Sequence, residues 1–592
     1  MAKYTIGIDL GTTNTVVSYI ENQKKEAPII LPIPQFTDSG TIENLNYLPS
    51  FIYLGLANEN FQLPWNRNPQ SFVVGTYARK RSTQAPDRTI AASKSWLSHQ
   101  GVDRRKGLLP VNAAEDITKI SAVKAAEMIL EHVMNTWNHQ FPDANMTEQQ
   151  IVLTIPASFD ASARDLTREA AMAVGFPNSM TILEEPQAAL YAWLATKQDS
   201  WRKELVVNDR ILVIDVGGGT ADFSLIEIIN ENNSLALSRK AVGKHLLVGG
   251  DNMDLALAHY SSAKLEEQGH QIDAWQNVAL WHACRQAKEV LLSTNEQPTF
   301  KITIAGRGKK LIGNSLSVEL NKEEIKKFLL DGFFPICEYQ TNIQKGRSGF
   351  QETGLPYESE AAITKHLANF VNNNLASANG KINYVLFNGG VFKAAYFQNR
   401  IMETIKYWFN EEPKLLDQKA DLDSAVAKGA AYYGFARRTG GIRIKGGTSR
   451  SYYLGFESSG MAIPGMARPM HALCIVPKGL EEGHQYEVPA DHLALIAGEA
   501  SKFPFFSSNN REEDKPGTIL KPLKNYGLEE SVNITANIQS SKFENGEMIP
   551  VKIEVCLLET GSLEIVAVNK THDEHWKFEF NAREENSVAS GQ

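Results

Sequence analysis

Two segments of the chain, about 200 residues apart, repeat one local pattern. Ile6-Gly7-Ile8-Asp9-Leu10 leads into Gly11-Thr12-Thr13-Asn14 and then Thr15-Val16-Val17-Ser18-Tyr19-Ile20. Ile211-Leu212-Val213-Ile214-Asp215-Val216 leads into Gly217-Gly218-Gly219-Thr220 and then Asp222-Phe223-Ser224-Leu225-Ile226. Each is an apolar strand ending in Asp, a Gly/Thr turn and a second strand. A single long-range repeat of this kind implies a duplicated domain with two similar halves. Two turns rich in free backbone N–H groups, facing each other, would clamp a polyphosphate, with the two Asp residues placed to hold its metal. The plain alternative is two ordinary β-hairpins. An Asp at the end of a buried strand is costly without a partner, and here it occurs twice at the same offset.

The chain has 592 residues, too many for one core, so two to four domains are expected. The net charge of -8 gives no sign of nucleic-acid or anionic-membrane binding. Cys284, Cys337, Cys474 and Cys556 are scattered and read as reduced thiols, not a disulfide framework. Met1-Ala2-Lys3-Tyr4 runs straight into a strand, with no signal peptide or long apolar span, so a cytoplasmic protein is expected. His572-Asp573-Glu574-His575 reads as solvated surface rather than a metal site.

Up to about Arg438, strands alternate with amphipathic helices, as an α/β fold requires. Helical patterns cover 121–137, 161–174, 253–267, 273–292, 322–339, 359–375, 394–409 and 423–438. Residues 439–447, with glycines at both ends and Ile442-Arg443-Ile444-Lys445 between, read as a linker. From 448 to 581 strand signals dominate, as in Val551-Lys552-Ile553-Glu554-Val555, and a β-sandwich or barrel is expected. The polar stretch 507–516 reads as a long mobile loop and 582–592 as a disordered polar tail.

A third glycine turn, Asn388-Gly389-Gly390-Val391-Phe392-Lys393, follows an apolar strand and opens a helix, a favourable place for negative charge. None of the three turns is a P-loop or a dinucleotide fingerprint. With these turns in order, residues 3–438 resemble the seventy-kilodalton heat-shock chaperones. Thr154-Ile155-Pro156-Ala157-Ser158-Phe159, Glu184-Glu185-Pro186-Gln187-Ala188-Ala189 and Asp423-Ser424-Ala425-Val426-Ala427-Lys428-Gly429 strengthen the likeness.

The resemblance implies a duplicated actin-like ATPase domain over 1–438, followed by an all-β, sandwich-like substrate domain. It implies ATP/ADP and Mg²⁺ as ligands. Asp9 and Asp215 would hold the metal through waters. Gly11, Thr12, Thr13, Asn14, Gly217, Gly218, Gly219 and Thr220 would cradle phosphates. Gly249, Gly250, Lys288, Gly389, Gly390, Lys393 and Asp423 would complete the nucleotide site. Glu185 would orient the attacking water, with Thr220 and Asp222 beside the γ-phosphate and Lys94 as the catalytic lysine. Pro156 and Arg164 match positions that relay the nucleotide state.

Departures from the family pattern cluster on one helix. Glu289 stands where the family has an arginine against the base, and Arg285 where it has an acid. The bland reading is an Arg285–Glu289 surface pair one turn apart; the sharper one is a rearranged adenine pocket. Asn14 replaces a usual aromatic, the acidic linker is replaced by a basic one, and no helical lid is matched. The leading reading is an ATP-driven, lidless chaperone for unfolded or extended polypeptides, working with co-chaperones. The alternative is a non-cycling nucleotide-bound scaffold. A sugar kinase of the same fold would leave the β domain unexplained.

Overall fold

A computed structural model describes residues 2–24, 26–99, 101–157, 159, 161–231, 234–243, 246–293, 297–306, 315–341, 343, 355, 357–375, 380–417, 421–442, 444–445, 448, 450–457, 469–480, 485–490, 493–498, 500–508, 511, 513–521, 526, 528–530, 534–540, 542–557 and 562–581. Ser158, Arg443, Gly446, Gly447 and the tail 582–592, all named above, lie outside the described residues. The chain groups into two compact units, Met1–Leu235 with Gly243–Arg443, and Ala236–Val242 with Ile444–Gln592.

The first unit is built on strands β1 (Tyr4–Leu10), β2 (Asn14–Glu21), β3 (Gln150–Ile155), β4 (Thr181–Glu184), β5 (Arg210–Val216), β6 (Ala221–Glu231), β7 (Tyr384–Asn388) and β8 (Lys414–Leu415). Helices α1 (Thr76–Arg81), α2 (Ser93–Leu97), α3 (Ala122–Gln140), α4 (Glu185–Lys197), α5 (Gly250–Glu267), α6 (Ala274–Leu292) and α7 (Ala425–Thr439) carry the rest of the argument. Two sheets repeat one topology, β4-β3-β1-β2 and β8-β7-β5-β6. In each, the Asp-bearing strand pairs antiparallel with its hairpin partner and parallel with the strand on its other side. The register places Asp9 beside Thr154, and Asp215 beside Asn388. β1 and β5 are buried over nearly their whole length, which is why both faces read as apolar runs rather than alternation.

The first half's core joins Tyr4, Ile6, Ile8 and Leu10 to Ala126, Leu130, Val133 and Trp137 of α3. Ser121 caps α3 by accepting from the Lys124 N–H at 3.0 Å, and Asp273 caps α6 from Gln276 in a reciprocal box. α7 lies against β1 without side chains between them: a Cβ on Gly7 would stand 2.3 Å from the Ala431 nitrogen. α7 also crosses α4 in backbone contact, where a Cβ on Gly429 would stand 1.7 Å from the Ala188 carbonyl oxygen. Only glycine permits either approach.

Several helix bounds shift from those read in sequence. The pattern over 322–339 ends at Phe333, since Pro335 forbids continuation. α5 begins at Gly250 and α7 runs Ala425–Thr439, closed by Gly440 at φ 71°. No helix among the described residues is long and apolar enough to cross a membrane.

In the second unit, Ile444–Lys445 pairs in parallel with Leu237–Ser238. Ser451–Glu457 lies between Met470–Val476 and Phe505–Ser508 in one antiparallel sheet. Met548–Leu557, Ser562–Asn569 and His575–Asn581 form consecutive antiparallel strands of a second. One core takes Tyr452, Leu473 and Ile475 from the first sheet and Val551, Ile553, Val555, Leu563 and Ile565 from the second. The loop expected over 507–516 loses its first two residues to a strand, and residues 509, 510 and 512 of it lie outside the described residues. Ser507 and Ser508 close a strand, and Arg511 and Asp514 form a two-bond ion pair that also receives the Tyr453 hydroxyl at 2.6 Å. Their apolar faces decide it: Phe505 and Phe506 anchor the strand that their serines end.

Candidate functional site

The two Asp-ended hairpins of the first unit face one another across a cavity of about 430 Å³. Asp9, Gly11, Thr12, Thr13, Asn14, Lys94, Glu185, Asp215, Gly217, Gly218 and Thr220 line it, with Gly250, Lys288, Gly389, Gly390, Lys393 and Asp423. Gly219, Gly249 and Asp222 stand just behind that wall. Asp222 is buried, in register opposite Asp215 on the hairpin. The turns are in direct contact: a Cβ on Gly218 would lie 2.3 Å from the Thr13 hydroxyl, and one on Gly219 2.4 Å from the Ser95 hydroxyl. Glycine at 218 and 219 is what this approach requires.

Each Asp sits at the C-terminal end of a central strand, yet their surroundings differ. Asp9 accepts from the Thr154 hydroxyl at 3.1 Å. Burial pushes its pKa up to about 7, the Glu185 charge adds to this, and Lys94 opposes it. Asp215 accepts from Asn388 Nδ2 at 2.8 Å. Burial raises its pKa well above the ordinary carboxylate value, and Glu185 and Asp222 raise it further. Carboxylates whose charge is disfavoured by burial and by neighbouring acids are suited to a cation.

Lys94 is 6% exposed and pairs with Glu185. Glu185 opens α4 directly after β4, with Pro186 fixing the turn into the helix. Lys94 sits in α2, a five-residue helix buried throughout and entered through Ala92 at φ 54°. A non-glycine residue in the left-handed region is strained, and here it aims a short, buried segment at the cleft.

α5 and α6 supply the opposite wall. The Gly250 and Asp251 N–H groups donate to the Gly217 and Gly218 carbonyls at 3.0 and 2.7 Å. Arg285 is buried and donates to Asp251 at 2.6 Å and Asp254 at 2.8 Å. Burial works against its charge, but the two carboxylates outweigh it and hold the guanidinium above its ordinary pKa. Lys288 reaches the Gly250 carbonyl at 2.9 Å and Asp254 at 2.7 Å. This overturns the Arg285–Glu289 surface pair. Arg285 turns inward to α5, and Glu289 pairs with Arg79 of α1 instead. Lys393 pairs with Asp423 at 2.5 Å.

The residues present fit a magnesium nucleotide. Asn14 Oδ1, Ser95 Oγ, Asp251 Oδ2 and Asn388 Oδ1 are buried at or beside this cleft with no hydrogen-bond partner. Such orphans are rare without a ligand or water to meet them. Among the described residues, no three His, Cys, Asp or Glu side chains converge as direct metal ligands. The two carboxylates Asp9 and Asp215 line the cleft and are oxygen donors of the kind a hydrated Mg²⁺ takes.

The sequence profile described as Hsp70 protein matches residues 5–338. The chain belongs to the Hsp70 family. A curated relative, the chaperone protein dnaK of Trieres chinensis, is 26% identical over 314 residues, covering 50% of this chain and 45% of the relative. The match thus spans somewhat less than half of that Hsp70 protein's length. Sequence reasoning missed Arg79, Asp251 and Asp254, which line this Hsp70 cleft, and Ser95, whose hydroxyl stands against Gly219. Asp251 and Asp254 are three residues apart just after Gly249-Gly250, a spacing that puts both on one helix face.

Proposed function

We propose that this Hsp70-family protein binds MgATP in the cleft of its first unit and hydrolyses it slowly to control polypeptide binding by its β unit. The observation that carries the reading is the pair of Asp-ended hairpins in contact through Thr13 and Gly218, with the Lys94–Glu185 pair beside them. Phosphoryl transfer asks for positioning and charge neutralisation, and these groups offer both. Asp9 and Asp215 would hold Mg²⁺ through water; the ion would neutralise phosphate charge. Thr12, Thr13 and the 217–220 turn would donate to phosphate oxygens, and Gly389, Gly390, Lys288 and Lys393 would border the nucleoside. Glu185 would orient the attacking water, with Lys94 offsetting its charge and that of the phosphates, and Thr220 and Asp222 would serve beside the γ-phosphate.

Single-turnover hydrolysis by the full chain tests this. Thr220→Ala and Glu185→Gln should each slow the step while calorimetry still reports nucleotide binding. Wild-type protein that binds ATP without turning it over would instead be a nucleotide-bound scaffold. One observation favours that second reading: Arg285 and Arg79 are both spent on protein ion pairs, with Asp251 and Asp254 and with Glu289, so neither offers a free cation to the base. For the β unit, anisotropy of a labelled apolar peptide in ATP and in ADP checks the chaperone reading. A nucleotide-dependent affinity is expected, and peptide binding that ignores nucleotide would remove the cycle.

A further inference from the structure

The first unit holds a second cavity, of about 590 Å³, walled by residues 86, 87, 89–92, 96 and 109–113 on one side and 273–275, 278, 281 and 282 with 355 and 357 on the other. Its volume is that of a small-molecule site. Four aromatic side chains line it: Trp96, Trp275, Trp281 and Tyr357. Its charged lining residues are Asp87 and Asp273, and no Lys or Arg is among them. Asp273 is partly compensated, since it caps α6 by accepting from the Gln276 N–H at 2.7 Å. Asp87 has no ion-pair partner among the described residues. Arg285 already stands over the Trp281 ring at 5.6 Å, and since aromatic faces carry negative electrostatic potential, the other rings and the two carboxylates together favour positive charge on an apolar body.

We propose that this cavity binds a small organic cation with an aromatic or alkyl body, and that its occupancy is coupled to the nucleotide cleft. The coupling has a physical route. α2 gives Trp96 to the cavity and Lys94 to the cleft; α6 gives Trp275 and Trp281 to the cavity and Arg285 and Lys288 to the cleft. Trp281 further donates its indole N–H to the Asp251 carbonyl at 3.3 Å, beside the Arg285 pair. An occupant that sets the spacing of α2 and α6 therefore acts on both sites, and linkage makes the effect reciprocal. The binding stands on the cavity alone; the coupling rests on the nucleotide reading above.

The test uses benzyltrimethylammonium as probe and benzenesulfonate as a control of the same ring and opposite charge. Saturation-transfer NMR and tryptophan fluorescence report binding to the full chain. The cation should bind and the sulfonate should bind at least tenfold more weakly. Trp275→Ala should weaken the cation about tenfold, the scale of one desolvated cation–ring contact. Asp87→Asn, a change on a half-buried turn that leaves packing intact, should weaken it about threefold and leave the neutral benzyl alcohol unaffected. Equal binding of cation and sulfonate overturns the site, as does a cation affinity that ignores both variants. For the coupling, the probe's Kd is measured with and without saturating ADP, and ADP binding is read separately by calorimetry. A shift of threefold or more is expected. An unchanged Kd on protein that demonstrably holds ADP overturns the coupling, while failure of ADP to bind would count against the nucleotide reading only.

Discussion

The two halves of the first unit share a topology and differ in how they support their aspartates. Asp9 has a hydroxyl donor, Thr154, and the Lys94–Glu185 pair close enough to shift its pKa. Asp215 has an amide donor, Asn388, and a second acid, Asp222, directly across the hairpin. The strand position two residues before each Asp differs as well. In the first half it is Gly7, which lets α7 touch backbone; in the second it is Val213, buried as side chain. Duplication has thus preserved the frame while the charges became specialised. One half carries the cleft's buried lysine, the other an excess of carboxylate.

That asymmetry predicts unequal losses. Lys94→Ala should lower single-turnover ATP hydrolysis by about 10²–10³, roughly 2.7–4 kcal/mol, the range for removing one preorganised charge. Asn388→Ala, at the second half's corresponding support, should cost about tenfold, near 1.4 kcal/mol for a donor to a carboxylate. Equal losses would break the comparison, and an unchanged rate in the Lys94 variant would take that lysine out of the site.

The packing contrast can be probed by giving the first half the second half's residue. Gly7→Val should destabilise the first unit by about 3 kcal/mol, the upper end for overpacking, in denaturant melts. A variant as stable as wild type would mean that α7 can back away from β1 without cost.

Acid should act on both halves through buried histidines. His132 of α3 donates from Nε2 to the Pro34 carbonyl at 2.9 Å, and burial pulls its pKa down to about 4; His282 of α6 is pulled to about 3. Each is neutral in the fold but takes a proton in the unfolded chain below about 6.5. Between those values the unfolded state binds more protons on these two groups, so their contribution to stability is full above pH 6.5 and falls as pH drops towards 4, whereas Asp9, raised to about 7, acts in the opposite sense over the same range. The slope is up to about 1.4 kcal/mol per pH unit for each histidine. His132→Gln, which keeps a donor for Pro34, should flatten the His132 part of that slope in melts at pH 4.5 to 7. An unaltered slope would assign the acid sensitivity elsewhere.

The smallest effect is expected where α1 meets α6. Arg79 and Glu289 are partly solvated, and such a pair is worth about 0.2–1 kcal/mol. Arg79→Ala should speed release of a fluorescent ADP by up to about fivefold in stopped flow. A larger change would show that the pair, and not the hairpins, dominates retention.

The hairpins were readable because strand, carboxylate and turn lie within about a dozen residues, so local pattern and final geometry coincide. Residues drawn from the three glycine turns do meet at one cavity. What sequence hid was the long-range pairing. Arg79 sits on a six-residue helix, too short for periodicity, and meets Glu289 across 210 positions. Arg285 looked solvated because an i,i+4 partner was available on its own helix; its inward turn depends on two acids of α5 that no single-helix pattern contains. In the β unit, alternation marked Val551–Val555 correctly, whereas serines ending a strand at 507–508 carry polar chemistry that mimics a loop.

The bare crossing of α4 and α7 at Gly429 has a mechanical meaning. Interlocking side chains seat helices in notches, so that they move by jumps. At Gly429 itself no side chain stands against Ala188, but four residues further on Tyr433 of α7 packs its ring on Tyr191 of α4, centroids 5.0 Å apart, so the crossing is notched there. The backbone contact blocks translation and the tyrosine rings oppose rotation, which makes the crossing a clamp. The same helix touches β1 at Gly7, two residues from Asp9, so the first carboxylate is mounted next to that clamp.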